Sequence, residues 1–376
     1  MVGMSDVPLS TREASSLQRV WAQVDVDAIA ANTSRLIRAA PRSACCAVVK
    51  ADGYGHGAVR AAQAAVRGGA TWLGVVTADE AEELRQAGID ARLLVLGPLT
   101  LSELERVLAI DADIVAWTDD ILDAASALGG ARVHVKLDTG MGRLGARTAD
   151  DATRLLQRCV DAPALEAAGA MTHFATADEL GDQFFDEQLR RFLPWVAEVR
   201  RLAPSAIVHA ANSAALLRDE AAQLDMVRPG VALYGLDPFG ADPASRDLQP
   251  ALALRASLGA VQPIRAGQST GYGRRWVAAS DGWVGIVPIG YGDGWRRGLS
   301  DAAGAIVDGR WCPLVGTVSM DSVAVDLGAV PVPVGTVVTL IGTSGDHRIV
   351  AEDLARALGT INYEITCGLG PRIPRR

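Results

Sequence analysis

Five polar positions stand at or just past the ends of apolar runs, where a side chain can meet a ligand while the run behind it stays buried. Lys50 closes AVVK, Asp138 to Arg143 follow RVHVK, His173 follows AGAMT, His209 closes AIVH, and Arg228 closes DMVR. Two of the chain's five histidines fall in this set. A charged amine ending an apolar run is expensive to bury, so its pKa should fall and its nitrogen become nucleophilic. Such an amine suits a Schiff base with a carbonyl compound or with pyridoxal phosphate. Taken alone, Lys50 also fits a lysine snorkelling from a sheet rim. Gly53, Gly55 and Gly57 follow it and permit a sharp turn, but GxGxG is not the GxGxxG of a dinucleotide site, and no acidic residue closes a second strand at the right distance. Asn212 and Ser213 lie just past His209 at a helix start, where Ser213 reads either as an N-cap or as a phosphate ligand.

These positions need elements to hold them. Short β-branched runs at 44–50, 72–77, 92–96, 113–117, 132–138, 168–173, 206–210 and 225–228 alternate with amphipathic stretches at 56–67, 78–87, 101–109, 119–128, 150–160, 182–202 and 213–218. Apolar residues such as Ala81, Leu84 and Ala87 recur at helical spacing. Strands joined by helices need crossovers and a parallel sheet. Eight such units predict a (β/α)8 TIM-like barrel, with an open doubly wound sheet as the alternative. In a barrel the functional residues gather at the carboxyl ends of the strands, where the five positions lie, and Gly230 and Val231 follow the last strand in a favoured phosphate-binding loop. Residues 20–37 read as a strand and helix leading into the first barrel strand. Past Pro238, Pro243 and Pro250 the texture changes to short valine-rich runs at 254–262, 283–289, 304–307, 313–318, 322–327 and 336–341, with one helix at 350–358. That spacing predicts a C-terminal mainly-β domain. The expected division is a barrel over 20–245, a β domain over 246–376, and an N-terminal extension over 1–19.

A length of 376 residues fits two domains at roughly 150 each. The balance of 36 basic against 44 acidic residues gives −8, which offers no phosphate-neutralising stripe and excludes nucleic acid as a first expectation. Hydrophobic content of 49% with 21% charged residues excludes global disorder. No apolar run is long enough to cross a bilayer, and the first twenty residues carry Asp6, Arg12, Glu13 and Arg19 without an apolar core of a secretion signal. Five cysteines include the adjacent Cys45 and Cys46, with no CxxC and no Cys/His cluster, so neither disulfides nor a metal site is expected. The expectation is a cytoplasmic protein that binds no membrane.

The string AVVKADGYGHG resembles the pyridoxal-phosphate attachment motif of the alanine racemase family. The similarity continues through KLDTGMGRLG at 136–145, MTHFATAD at 171–178, HAANSAA at 209–215 and RPGVALYG at 228–235. It extends into the second domain through GYGRRW at 271–276, PIGYGDGW at 288–295, GTVSMDSV at 316–323 and NYEITCGLGPRIPR at 362–375. The resemblance implies a homodimer whose sites combine both subunits, a small amino-acid substrate, and interconversion of L- and D-alanine by a two-base mechanism that supplies peptidoglycan. It implies that Lys50 carries the cofactor as an internal aldimine and moves the α-proton on one face, with Tyr272 of the partner subunit as the opposite base. A free phenol has a pKa of about 10, so Tyr272 needs cationic or hydrogen-bonded neighbours.

The same resemblance gives the other roles. His173 and Arg228 match positions linking that tyrosine to the pyridine nitrogen, and His209 supports Arg228. A guanidinium can only donate, so the ring nitrogen stays unprotonated, which disfavours transaminase or decarboxylase chemistry. Tyr54, Asn212, Ser213, Gly230, Val231 and Tyr363 match cofactor contacts. Arg143 and the backbone of Met320 match contacts to the substrate carboxylate. Lys136 matches a lysine that is often carbamylated, and Tyr291 and Asp321 match pocket positions contributed by the partner. Ser319 stands where many relatives have cysteine, and Arg274 and Arg275 add charge beside Tyr272. The alternatives are a serine or broad-specificity racemase, a barrel-type decarboxylase and a non-catalytic pyridoxal-phosphate carrier, the last disfavoured by the long β domain.

Overall fold

Eight strands rich in Val, Leu and Ala pair in parallel and close on themselves. The computed structural model describes residues 18–376; the rest of the expected extension, residues 1–17, lies outside the described residues. The barrel strands are β1 Ala44–Val48, β2 Trp72–Val75, β3 Arg92–Val95, β4 Ala112–Ala116, β5 Ala131–Lys136, β6 Leu165–Met171, β7 Ile207–His209 and β8 Met226–Val227. Each pairs with the next, and β8 returns to β1 with Met226 opposite Ala44, so no edge remains. The closed barrel replaces the open-sheet alternative.

Alternation along the strands decides what faces the axis. Cys46, Trp72, Leu94, Val115, Met171 and Met226 form one buried cluster inside. Helices such as Ala58–Arg67 cover the outside, with Ala58, Ala61, Ala62 and Ala65 buried. Threonines end several strand-to-helix loops as caps. The side chain of Thr77 accepts from the Glu80 N–H, and Thr100 does the same with Glu103; both form capping boxes. Each such cap is worth about 1 kcal/mol and stops the strand cleanly.

The compact units are Asp25–Ala251, which holds the barrel, and Leu252–Arg376 joined by the described residues up to Val24. They divide after Ala251 rather than at 245, and the strand Val20–Val24 belongs to the second unit, where it runs antiparallel to Leu252–Ser257. The second unit is a nine-stranded antiparallel sheet system. The run expected over 254–262 is two strands. Leu252–Ser257 pairs with Val337–Ser344, whereas Ala260–Ile264 pairs with Gly282–Val287. Leu258 and Gly259 make the transfer, with the Leu258 side chain lying 2.9 Å from where a Cβ on Gly285 would be. The helix Ala351–Leu358 follows as the spacing predicts, and a further helix, Asn362–Cys367, was not legible because it is a single short turn pair.

Candidate active site at the barrel mouth

Lys50 sits two residues past β1, half-buried, at the start of a backbone turn of unusual hand. Ala51, Asp52, Gly53 and Tyr54 all have φ between 53° and 59° with positive ψ. Three of the four are not glycine, and a left-handed residue costs roughly 1–2 kcal/mol. The turn is held from outside. Glu80 accepts the Ala51 N–H at 2.7 Å, and the Asp52 carboxylate accepts the Ala58 N–H at 3.0 Å. Gly53 is required here as well, since a Cβ on it would lie 3.0 Å from Ala61 Cβ. Strain concentrated in the residues just past one lysine and offset by neighbouring hydrogen bonds is a mark of a functional loop.

Arg228 follows β8 and is 4% exposed. Its Nη1 donates to His209 Nδ1 at 2.8 Å. Its Nη2 donates to Thr172 O and Ala210 O at 3.0 Å and to His173 Nδ1 at 3.2 Å. The Nε–H has no acceptor among the described residues. Burial draws Arg228 down to about 10, which still leaves it protonated at neutral pH. Burial, followed by the charge of Arg228, holds His173 and His209 well below the usual histidine range, so both are neutral acceptors toward it.

A second cluster lies where β7 and β8 end. Asn212, not Ser213, caps the helix Ser213–Arg218, accepting from the Ala215 N–H at 2.9 Å. Ser213 Oγ instead accepts from Gly230 N at 2.9 Å and Ala232 N at 3.3 Å, so its own hydrogen is left to donate elsewhere. The Tyr54 hydroxyl closes over Gly230; a Cβ there would stand 2.3 Å from it. Val231 begins a 3-10 turn, Val231–Tyr234, whose first N–H has no acceptor among the described residues. A serine hydroxyl, a phenol and a backbone N–H thus converge over a glycine.

The β5 exit carries the remaining cations. Lys136 is 4% exposed, and its pKa is pulled down to about 8, first by burial and then by Arg228, Arg143 and Lys50 against the opposing pull of Asp138. Arg143 is exposed and makes no hydrogen bond or ion pair among the described residues. Asp138 is a loop knot: its carboxylate accepts from Gly140 N and Gly142 N and pairs with Arg147 at 2.6 Å. Gln188, which the sequence reading passed over, anchors the loop carrying His173. Its amide donates to His173 O at 3.1 Å and to Thr139 Oγ1 at 3.2 Å, while its oxygen accepts the Ala175 N–H. A lone glutamine inside a long helix gives no signal of that role.

The second unit places its own candidates on exposed turns. Tyr272 is 74% exposed between Gly271 and Gly273, both at positive φ, and Thr317 Oγ1 donates to its carbonyl at 2.8 Å. Tyr291 and Met320 come together because Tyr291 N donates to Ser319 O and Gly292 N to Met320 O. A Cβ on Gly290 would meet Ser319 O at 2.3 Å, so only glycine allows that approach. Asp321 pairs with Arg372 at 2.8 Å. Tyr363, half-buried, lies on Asn362–Cys367. Among the described residues no His/Cys/Asp/Glu group could hold a metal, and no helix is long and apolar enough to cross a membrane.

Comparison with known proteins agrees with this layout. The family model for the alanine racemase N-terminal domain matches residues 24–238, and that for the alanine racemase C-terminal domain matches 251–376. The chain is 43% identical to the alanine racemase of Lactiplantibacillus plantarum, over 94% of this chain and 96% of that one. It is 40% identical to the alanine racemase of Geobacillus stearothermophilus, over 94% and 92%. Among solved structures, the alanine racemase of Streptomyces coelicolor superposes with a TM-score of 0.91 at 38% identity, covering 96% of this chain and 98% of that one. That of E. faecalis gives 0.89 at 38%, covering 95% and 97%. With both domain models matched in order and relatives aligned over nearly their full length, the chain belongs to the alanine racemase family.

Proposed function

We propose that this chain interconverts L- and D-alanine with pyridoxal phosphate held at the barrel mouth. The residues present suit that group. Arg228 keeps an unused N–H for an acceptor nitrogen, and Ser213, Tyr54 and the Val231 N–H converge above Gly230, a cradle that any Cβ there would fill. Asn212 caps the helix that begins at Ser213. When bound, the cofactor supplies a conjugated ring that makes the α-hydrogen of an amino acid acidic.

The chain's own groups do the rest. Lys50 holds the cofactor through its amine and moves the α-proton on one face. Tyr272 of the partner subunit moves it on the other, which two-sided exchange requires. His173 connects that phenol to Arg228, and His209 steadies Arg228 from behind. Arg143, with no partner of its own, binds the substrate carboxylate, and the Met320 N–H of the partner subunit adds a donor. Tyr291 and Asp321 of the partner subunit narrow the opening to small side chains.

Lys136 lies among Arg228, Arg143 and Lys50, and its amine is deprotonated more readily than an ordinary lysine's. Attack of that neutral amine on carbon dioxide, with loss of one proton, would give a carbamate whose negative charge offsets those cations and orients Arg143. Exposure of Tyr272 (74%) and Met320 (53%) supports a homodimer in which these side chains complete the partner's site. The product would serve peptidoglycan, and the enzyme would work in the cytoplasm.

The observation that carries this reading is Arg228 buried as a donor at the same mouth as Lys50. The test is D-alanine formation from L-alanine beside serine at equal concentration, with cofactor absorbance followed in Lys50→Ala. Failure of the parent protein to form D-alanine with cofactor bound would reject the activity, and faster serine turnover would move the specificity. A full cofactor band surviving in Lys50→Ala would reject Lys50 as the attachment point.

A further inference from the structure

Four polar side chains lie end to end inside the barrel, where apolar layers are the rule. Asp113 on β4, His134 on β5 and His209 on β7 are fully buried, and Arg228 closes the row at the mouth. Their bonds have a fixed direction. Arg228 can only donate, so His209 Nδ1 accepts at 2.8 Å, and the hydrogen of the neutral ring is on Nε2. That hydrogen meets His134 Nδ1 at 2.8 Å, which therefore accepts, leaving the His134 hydrogen on Nε2. There it meets the Asp113 carboxylate at 3.1 Å. Donors and acceptors match along the whole row, with no proton left over.

The far end is anchored by two more cations. Arg92 Nη2 reaches Asp113 at 2.8 Å and Arg132 Nε at 2.6 Å, from the first and second residues of their strands. Burial alone would raise Asp113, but His134, Arg92 and Arg132 outweigh it and hold the carboxyl below its ordinary value. His134 is lowered, chiefly by burial, against the raising influence of Asp113. Space for the row is made on β6. A Cβ on Gly169 would lie 2.1 Å from His134 Nδ1 and 2.5 Å from its Cε1, so only glycine leaves room for the ring that bonds His209. Apolar side chains of similar volume would stabilise a barrel interior at least as well as buried charges, so a fully matched polar row points to a role beyond packing.

We propose that Asp113 and His134 are positioning residues for Arg228, fixing the tautomer of His209 so that one Nη1–H is held inside the barrel while the Nε–H stays available at the mouth. The role rests on the reading of Arg228 as the partner of the cofactor's ring nitrogen. Reversal at the far end propagates. If a donor replaces the Asp113 oxygen that faces His134, the His134 hydrogen moves to Nδ1 and drives the His209 hydrogen to Nδ1, where it meets an Arg228 N–H.

The test is nitrogen-15 NMR of the imidazoles in the full chain, with pyridoxal phosphate removed and again with it bound. Near neutral pH both His134 and His209 should be neutral with the hydrogen on Nε2 in both states. A His209 that is doubly protonated or carries its hydrogen on Nδ1 in the parent protein would overturn the proposal without any variant. Asp113→Asn should move the His209 signal and shift the cofactor absorption band. It should also lower kcat about tenfold with little change in KM, as loss of an outer hydrogen-bond partner of a functional histidine does. Asp113→Glu, which keeps an acceptor, should restore the His209 signal. A lowered melting temperature in Asp113→Asn with the His209 signal and the band unchanged would show packing alone and reject the relay. Correct tautomers in a protein that forms no D-alanine would instead reject the proposed activity and leave the relay standing.

Discussion

The Nη1 of Arg228 and the Nδ1 of His209 are 2.8 Å apart, and because a guanidinium cannot accept, this one contact sets the tautomer of His209. The opposite side of the guanidinium is spent on two carbonyls and His173. A planar fork fits those acceptors together; a single ammonium cannot reach all of them.

Arg228→Lys should therefore keep the charge and lose the site. We expect destabilisation of about 2 kcal/mol from buried acceptors left unpaired, together with a fall in kcat. Urea unfolding and D-alanine formation read the two effects. An unchanged kcat would show that the fork geometry is immaterial.

Tyr272 is 74% exposed, so removing its hydroxyl should alter stability by less than about 0.5 kcal/mol. Loss of a positioned acid–base group should still slow exchange by roughly 10²- to 10⁴-fold. The slowing should fall mainly on one enantiomer when deuterium incorporation is followed from each separately. Equal losses from L- and D-alanine would argue against two opposed bases. Mixing inactive Lys50→Ala with inactive Tyr272→Phe should restore part of the activity by forming one intact site per mixed dimer.

Gly230→Ala would place a methyl 2.3 Å from the Tyr54 hydroxyl. Overpacking of this kind costs about 1–3 kcal/mol, and here the phenol must leave the cradle. Weaker retention of pyridoxal phosphate, by roughly tenfold for each 1.4 kcal/mol lost from binding, is the expected outcome on titration of the stripped protein. Unaltered affinity would remove Tyr54 and Gly230 from the phosphate site.

Lys136 titrates at about 8 in the folded chain against an ordinary 10.5. Below pH 8 it is charged in both folded and unfolded states, and the folded state carries the whole penalty, about 3 kcal/mol. From pH 8 to 10.5 the unfolded chain binds more protons, so stability rises with pH and the penalty disappears above that range. Lys136→Met should thus be more stable than the parent at pH 7 in buffer free of carbon dioxide. The difference should narrow toward pH 10.5, and also on adding bicarbonate if the lysine is carbamylated. Equal stabilities at pH 7 without bicarbonate would contradict the depressed pKa.

The order of strands and helices was legible because period-two and period-3.6 patterns alternate without interruption from Ala44 to Val227, and a strand so placed can only join a parallel sheet. The residue types at the strand ends were legible for the same reason. Lys50, His173, His209 and Arg228 stand beside apolar runs that fix their register, and one barrel gathers all four ends. The sequence by itself therefore determined the barrel, its working end and the chemical character of that end. What it could not determine depends on which atoms meet across the axis. The left-handed turn from Ala51 to Tyr54, held by Glu80, and the use of Ser213 to hold Gly230 follow from contacts between different segments of the chain. So does the row from Asp113 to Arg228. Within their strands, Asp113 and His134 read as isolated polar interruptions of apolar runs. Only closure of the barrel, with Gly169 leaving room for the His134 ring, turns four scattered side chains into one matched line of donors and acceptors.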